Sequence, residues 1–197
     1  MAGMRVIGGR AKGRRLQMVP GEMTRPIPDR VKEALFNIVG ADIAMARFLD
    51  LFAGTGAVGI EALSRGAARA VFLDKAPAAI RTIRSNLQAT GLAAAAEVIQ
   101  TDAFTWLKRS GGQQFDYVYV APPQHQGLWE SALNALERSN FVLAPDAWVI
   151  VQLHPKEHRA LDLTRLRLED QRKYGSTLLA FYSTEEAVPR DAPDEGL

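Results

Sequence analysis

The chain contains no cysteine in 197 residues. This excludes disulfides, cysteine-ligated zinc and iron–sulfur clusters, and it points to a cytoplasmic protein. Histidine is nearly as scarce: His125, His154 and His158 are the only three, and their spacing fits no metal-ligand pattern, so no metal site is expected. No apolar run reaches the length of a membrane span, and the first residues lack the apolar region of a signal peptide. Neither a membrane partner nor export is therefore expected. A chain of this length, 47% hydrophobic, can bury one sizeable core but is short for two, so one domain with small appendages, acting as a monomer, is the expectation.

The formal net charge is only +2, but it is unevenly spread. Residues 1–32 hold eight basic residues (Arg5, Arg10, Lys12, Arg14, Arg15, Arg25, Arg30 and Lys32) against Glu22 and Asp29. Residues 184–197 hold five acidic residues against Arg190, and the stretch between is balanced. A compact basic segment is what a polyanion partner requires, because phosphate contacts supply most of the affinity for nucleic acid. A merely solvated basic face gives the same count.

From Phe48 onward, short apolar runs alternate with helical patterns, the signature of a parallel sheet covered by helices on both faces. Strands are predicted at 47–51, 70–74, 97–101, 115–120, 148–153, 167–172 and 178–183, and helices at 57–65, 77–90, 103–108 and 129–140. Asp29 is placed to cap a further helix running to Val39, since Val31, Leu35, Ile38 and Val39 recur at helical spacing. The gap of 173–177 between the last two strands is too short for a crossover helix, so these should form an antiparallel hairpin. The division expected is a basic arm or hairpin at 1–24, an α/β domain at 25–186 and a disordered acidic tail at 187–197, where proline and acid replace any periodicity.

The strongest local signal is Leu49-Asp50-Leu51-Phe52-Ala53-Gly54-Thr55-Gly56-Ala57-Val58-Gly59, a buried strand running into a glycine-rich turn and then a helix. Gly54 and Gly56 let the backbone approach a ligand, and Gly59 permits close packing of helix on strand. Asp74 ends the next strand about twenty residues on, where a carboxylate can accept from both hydroxyls of a ribose. Asp102 closes the third strand, placed to accept from an adenine amino group. Each acid alone reads more readily as a helix cap or a solvated turn; together, in order and at strand ends, they point to cofactor binding. The acid before the loop makes the turn resemble methyltransferase motif I more than the fingerprint of nicotinamide enzymes.

As a set, the motifs resemble the RsmD-like family of small-subunit (16S) ribosomal RNA guanine-N2 methyltransferases. The resemblance rests on Arg5-Val-Ile-Gly-Gly9 and the basic stretch after it, on the run from Arg25-Pro26-Ile27-Pro28-Asp29 to Phe36-Asn37, on Ile60-Glu61-Ala62-Leu63-Ser64-Arg65-Gly66-Ala67, and on Lys173-Tyr174-Gly175-Ser176-Thr177. It implies a Rossmann-like α/β fold with a mostly parallel seven-stranded sheet and one antiparallel strand. It also implies S-adenosylmethionine as cofactor, held by Asp50, Gly54, Gly56, Asp74 and Asp102. The implied partner is ribosomal RNA or a small-subunit assembly intermediate, met by Arg5, Arg10, Lys12, Arg14, Arg15, Arg25 and Arg30.

One segment departs from the family pattern. Where such enzymes carry Asp/Asn-Pro-Pro-Tyr/Phe after the fourth strand, this chain has Ala121-Pro122-Pro123-Gln124. A guanine amino nitrogen is a poor nucleophile, so a site must orient it and accept its hydrogens. The usual acid or amide and the first proline carbonyl are those acceptors, and the aromatic stacks on the flipped base. Here the Pro122 carbonyl and the Pro-Pro geometry remain, with His125 or Trp129 as replacement rings. The plainer readings are that the prolines form a rigid strand exit, that Trp129, Tyr117 and Tyr119 are packing residues, that His125 is a solvated or capping residue, and that Arg25 pairs with Asp29. Two further functions stay open: methyl transfer to a protein or small molecule, and a cofactor-binding RNA-binding protein with weak catalysis.

Overall fold

The computed structural model describes residues 4–21, 27–109 and 112–184. Arg25 and the acidic tail therefore lie outside the described residues. In chain order the elements are α1 (Asp29–Val39), β1 (Arg47–Asp50), α2 (Ala57–Ser64), β2 (Arg69–Asp74), α3 (Pro77–Thr90), β3 (Ala96–Gln100), α4 (Ala103–Leu107), β4 (Phe115–Val120), α5 (Leu128–Arg138), β5 (Leu143–Leu153), β6 (Leu166–Tyr174) and β7 (Thr177–Thr184). Short 3₁₀ turns at Gly40–Ile43 and Ala93–Ala95 complete the set.

The strands form one seven-stranded sheet in the order β3-β2-β1-β4-β5-β7-β6. β1 to β5 pair in parallel, and β7 lies antiparallel between β5 and β6. The β6–β7 hairpin turns through two residues, with Gly175 at φ 60°. Alternation along each strand divides the interior into two layers. Phe48, Ala70, Phe72, Tyr117, Tyr119 and Ile150 face α1, α2 and α3. Leu49, Val71, Leu73, Val118, Val120, Val149 and Val151 face α4 and α5. Tyr117 and Tyr119 are thus core residues.

Two local expectations are corrected. The cap of α1 is Pro28, with no side-chain bond, and Asp29 is instead the first helical residue, its carboxylate paired with Arg5 at 3.2 Å. β5 starts at Leu143 rather than Trp148, because Leu143 pairs with Phe115 across a register irregularity that accommodates Pro145 and Asp146. Asp102 caps α4, its Oδ1 accepting from the backbone N–H and the hydroxyl of Thr105.

Residues 4–17 form a small hairpin closed by an antiparallel bridge between Arg5 and Arg15. It does not project into solvent. Met4, Val6, Ala11 and Leu16 are buried in the layer of α1 to α3, and the hairpin covers the outer face of α2. That is why all eight residues of α2 are buried, Glu61 and Ser64 included. Glu61 accepts the backbone N–H groups of Ile7 and Gly8 at 2.8 and 2.7 Å and the Arg65 Nε at 2.8 Å, and it lies 3.6 Å from the Lys32 ammonium. Burial lowers the pKa of Lys32, against the attraction of Glu61. Lys32 also donates to the Arg5 carbonyl. One of the eight basic residues counted in the first segment is thus spent inside the fold.

Candidate active site at the carboxyl edge of the sheet

The ends of β1, β2, β3 and β4 share one edge of the sheet. Asp50 stands level with Phe72 and Tyr119, and Asp74 level with Gln100. Between β1 and α2 the chain turns through Gly54 at φ 53° and Gly56 at φ 76°, conformations that glycine adopts without strain. A side chain on Gly54 would meet nothing within 4 Å, so the turn is open at Gly54, whereas at Gly56 a β-carbon would meet Ile83 at 3.3 Å. At Gly59 a β-carbon would come within 2.3 Å of the Phe72 ring, the close approach of helix and strand that the sequence implied. The Asp74 carboxylate holds this turn: Oδ2 accepts the Gly54 N–H at 2.9 Å and Oδ1 the Ala76 N–H at 2.8 Å. A carboxylate has about four acceptor positions, so two such bonds leave capacity for hydroxyl donors.

Asp50 is the most perturbed acid of this edge. It is 1% exposed, and its Oδ1 is buried without a hydrogen-bond partner among the described residues. Burial pushes its pKa up to about 7; the N–H groups of Gly59 and Phe52 oppose this, and the charge of Asp74 adds to it. Desolvation, with Asp50 alongside, also raises the Tyr119 phenol well above its ordinary value. A buried carboxylate oxygen with no donor, beside a glycine turn open to solvent, suits a cationic or N–H-bearing ligand.

The basic hairpin borders this turn. Thr55 donates to the Met4 sulfur, and Asn86 of α3 donates both to the Thr55 carbonyl, at 2.9 Å, and to the Gln17 carbonyl, while accepting the Gln17 N–H at 2.7 Å. Arg10, Lys12, Arg14 and Arg15 are exposed on the hairpin, and Arg30 is exposed on α1. Arg5 is largely exposed but engaged with Asp29.

After β4, Pro122 is buried while Pro123, Gln124 and His125 are exposed. His125 is 70% exposed and adopts φ 63°, with its ring centroid 5.6 Å from that of His154. Trp129 is 2% exposed and stacks on His158 at 5.7 Å, so it is a packing residue, and of the two candidate rings His125 is the accessible one. Burial lowers the pKa of His158, whose Nε2 has no hydrogen-bond partner among the described residues. Sequence reasoning overlooked the loop after β5. It brings His154, Glu157 and His158 against the segment after β4, and Glu157 lines a narrow crevice with Pro122, Pro123, Gln124, Trp129, Gln152 and Leu153. The only hint in the sequence was that His154 and His158 both follow the strand ending at Leu153 within five residues. Among the described residues, no group of acids and histidines is arranged to hold a metal ion, and no helix is long and apolar enough to cross a membrane.

This sheet order, with its antiparallel β7 and its glycine turn after β1, is the fold of S-adenosylmethionine-dependent methyltransferases. The solved yhhF structure from Escherichia coli superposes with a TM-score of 0.83 at 34% identity, over 94% of this chain and 99% of that one. A family model described as Conserved hypothetical protein 95 matches residues 4–183. Ribosomal RNA small subunit methyltransferase D of Escherichia coli (strain K12) is 40% identical over 149 residues, covering 76% of this chain and 74% of that protein. YlbH of Bacillus subtilis (strain 168) is 37% identical over 185 residues, 91% of this chain and 98% of that one. The chain belongs to this family, the RsmD-like proteins.

Proposed function

We propose that the protein transfers a methyl group from S-adenosylmethionine to the exocyclic N2 of a guanine in small-subunit ribosomal RNA. The observation that carries this reading is the meeting of two features at one rim: the glycine turn with its acids, and the exposed cations of the hairpin, joined through Asn86 and Thr55. Membership in a family with relatives named ribosomal RNA small subunit methyltransferase D supports the same substrate. Asp50, Gly54, Gly56, Asp74 and Asp102 would hold the cofactor. The unpartnered Asp50 oxygen fits its ammonium group, and the spare capacity of Asp74 fits its ribose. The bound cofactor supplies an electrophilic methyl on a sulfonium. The chain then has to seat the base and orient its amine. The Pro122 carbonyl is the acceptor left in the segment after β4, and the exposed His125 ring is the stacking surface.

The test is transfer of labelled methyl from S-adenosylmethionine to small-subunit RNA, offered both naked and as undermethylated particles from cells lacking this protein. N2-methylguanine in the digested RNA is the expected product. A second reading, cofactor and RNA binding with weak transfer, is favoured by Ala121 and Gln124 standing in place of an acid or amide and an aromatic. Salt-dependent RNA binding with no label transferred would establish it. Label on protein or a small molecule would overturn both.

A further inference from the structure

The segment after β4 lacks a side-chain acceptor at Ala121, yet the crevice it lines is not without one. We propose that Glu157, on the loop after β5, supplies the carboxylate that accepts the hydrogens of the target amine. The proposal rests on the methyl-transfer reading above and names the group that makes it workable in this chain. The Glu157 side chain is 12% exposed. Its Oε2 accepts the backbone N–H of His125 at 2.7 Å, tying the loop after β5 to the segment after β4. Its Oε1 is buried and has no hydrogen-bond partner among the described residues; the His125 Nδ1 lies 3.7 Å away. A buried carboxylate oxygen left without a donor carries a free-energy cost that a ligand N–H would relieve.

Among the described residues that line the crevice, Glu157 is also the one anionic side chain. The other polar side chains there are Gln124 and Gln152. The oxygen of Gln152 already accepts the Tyr119 hydroxyl, leaving its amino group as a donor, and Gln124 is exposed and neutral. Arg159, just beyond, pairs with Glu130 of α5 and fixes the loop to the domain. In the transfer step, the amine nitrogen forms a bond to the methyl carbon while the carbon–sulfur bond breaks and its electron pair stays on sulfur. The nitrogen then sheds one proton to Glu157 Oε1, which passes it to solvent. The charge that develops on the nitrogen is thus met by a carboxylate already in place, the kind of preorganised group whose removal slows reactions by about a hundredfold or more.

The experiment compares single-turnover methyl transfer to undermethylated small-subunit particles by the parent protein, by Glu157→Gln, and by Glu157→Gln combined with Ala121→Asp. Calorimetric S-adenosylmethionine affinity is measured for each. Glu157→Gln keeps an oxygen to hold the His125 N–H but removes the charge. It should slow transfer by about a hundredfold with cofactor affinity unchanged, and Ala121→Asp should recover at least about tenfold of the loss by restoring an acid at the head of the segment after β4, where the family pattern carries one. A Glu157→Gln rate within about threefold of the parent overturns the proposal. So does a loss that Ala121→Asp leaves unrecovered, since Glu157 would then only hold the loop. A parent that transfers nothing to RNA overturns the methyl-transfer reading and this proposal with it, whereas an active parent with an indifferent Glu157 overturns this proposal alone.

Discussion

Replacing Asp50 with Asn removes the one carboxylate of this edge that burial holds near neutrality, and its consequence for stability can be worked out in sign and size. The pKa of Asp50 is raised from 3.8 to about 7, chiefly by burial. The folded state therefore keeps its proton up to a pH where the unfolded chain has already lost it. Stability contributed by the protonated form is fully present below the unfolded value and is lost as pH rises through the folded one. At about 1.4 kcal/mol per pH unit, the span from 3.8 to about 7 amounts to roughly 4 kcal/mol. Urea unfolding of the parent should show this loss developing between about pH 4 and pH 7 and complete above that. Asp50→Asn lacks the titration, so the difference between its curve and that of the parent should carry the whole effect. Saturating S-adenosylmethionine, whose ammonium would pair with the carboxylate in the proposed complex, should flatten the parent curve. Parallel curves for parent and variant would refute the reasoning, because they would mean that Asp50 titrates alike folded and unfolded.

The other predictions concern the hairpin and its anchor. Glu61→Ala leaves the buried Lys32 ammonium and the N–H groups of Ile7 and Gly8 without their acceptor, and should cost about 3–5 kcal/mol in urea unfolding; a loss under about 1 kcal/mol would show that the pair is not buried in solution. Arg10, Lys12 and Arg14, replaced together by Ala, should lower the slope of log affinity for single-stranded RNA against log salt by about 0.7 for each phosphate that these cations neutralise. Deletion of the whole hairpin is a poorer test, since Val6, Ala11 and Leu16 belong to the core. An unchanged slope would make these cations a solvated face.

What the sequence could determine by itself was whatever is written in local pattern. Period-two and period-3.6 alternation placed β1 to β4 and α3 almost to the residue, because burial on one or both faces constrains neighbours a few positions apart. The glycine turn was legible because glycine adopts those backbone angles without strain and leaves room for that approach to Phe72. Other features depend on partners distant along the chain. Lys32 counted with the basic segment and nothing near Glu61 marked it as buried; both are enclosed only when the hairpin, more than fifty residues before Glu61, closes over them. Asp102 read as a ligand contact or a cap, and only the position of Thr105 shows the capping bond. Trp129 ceased to be available as a base platform once His158 covered it. Glu157 drew no notice because only the histidines beside it mark that loop; its meaning comes from lying against a segment more than thirty residues earlier. Local pattern encodes period and backbone conformation, whereas the pairing of a buried charge or an acceptor is set by which loops the sheet order brings to the same edge, and that is decided only when the whole sheet has formed.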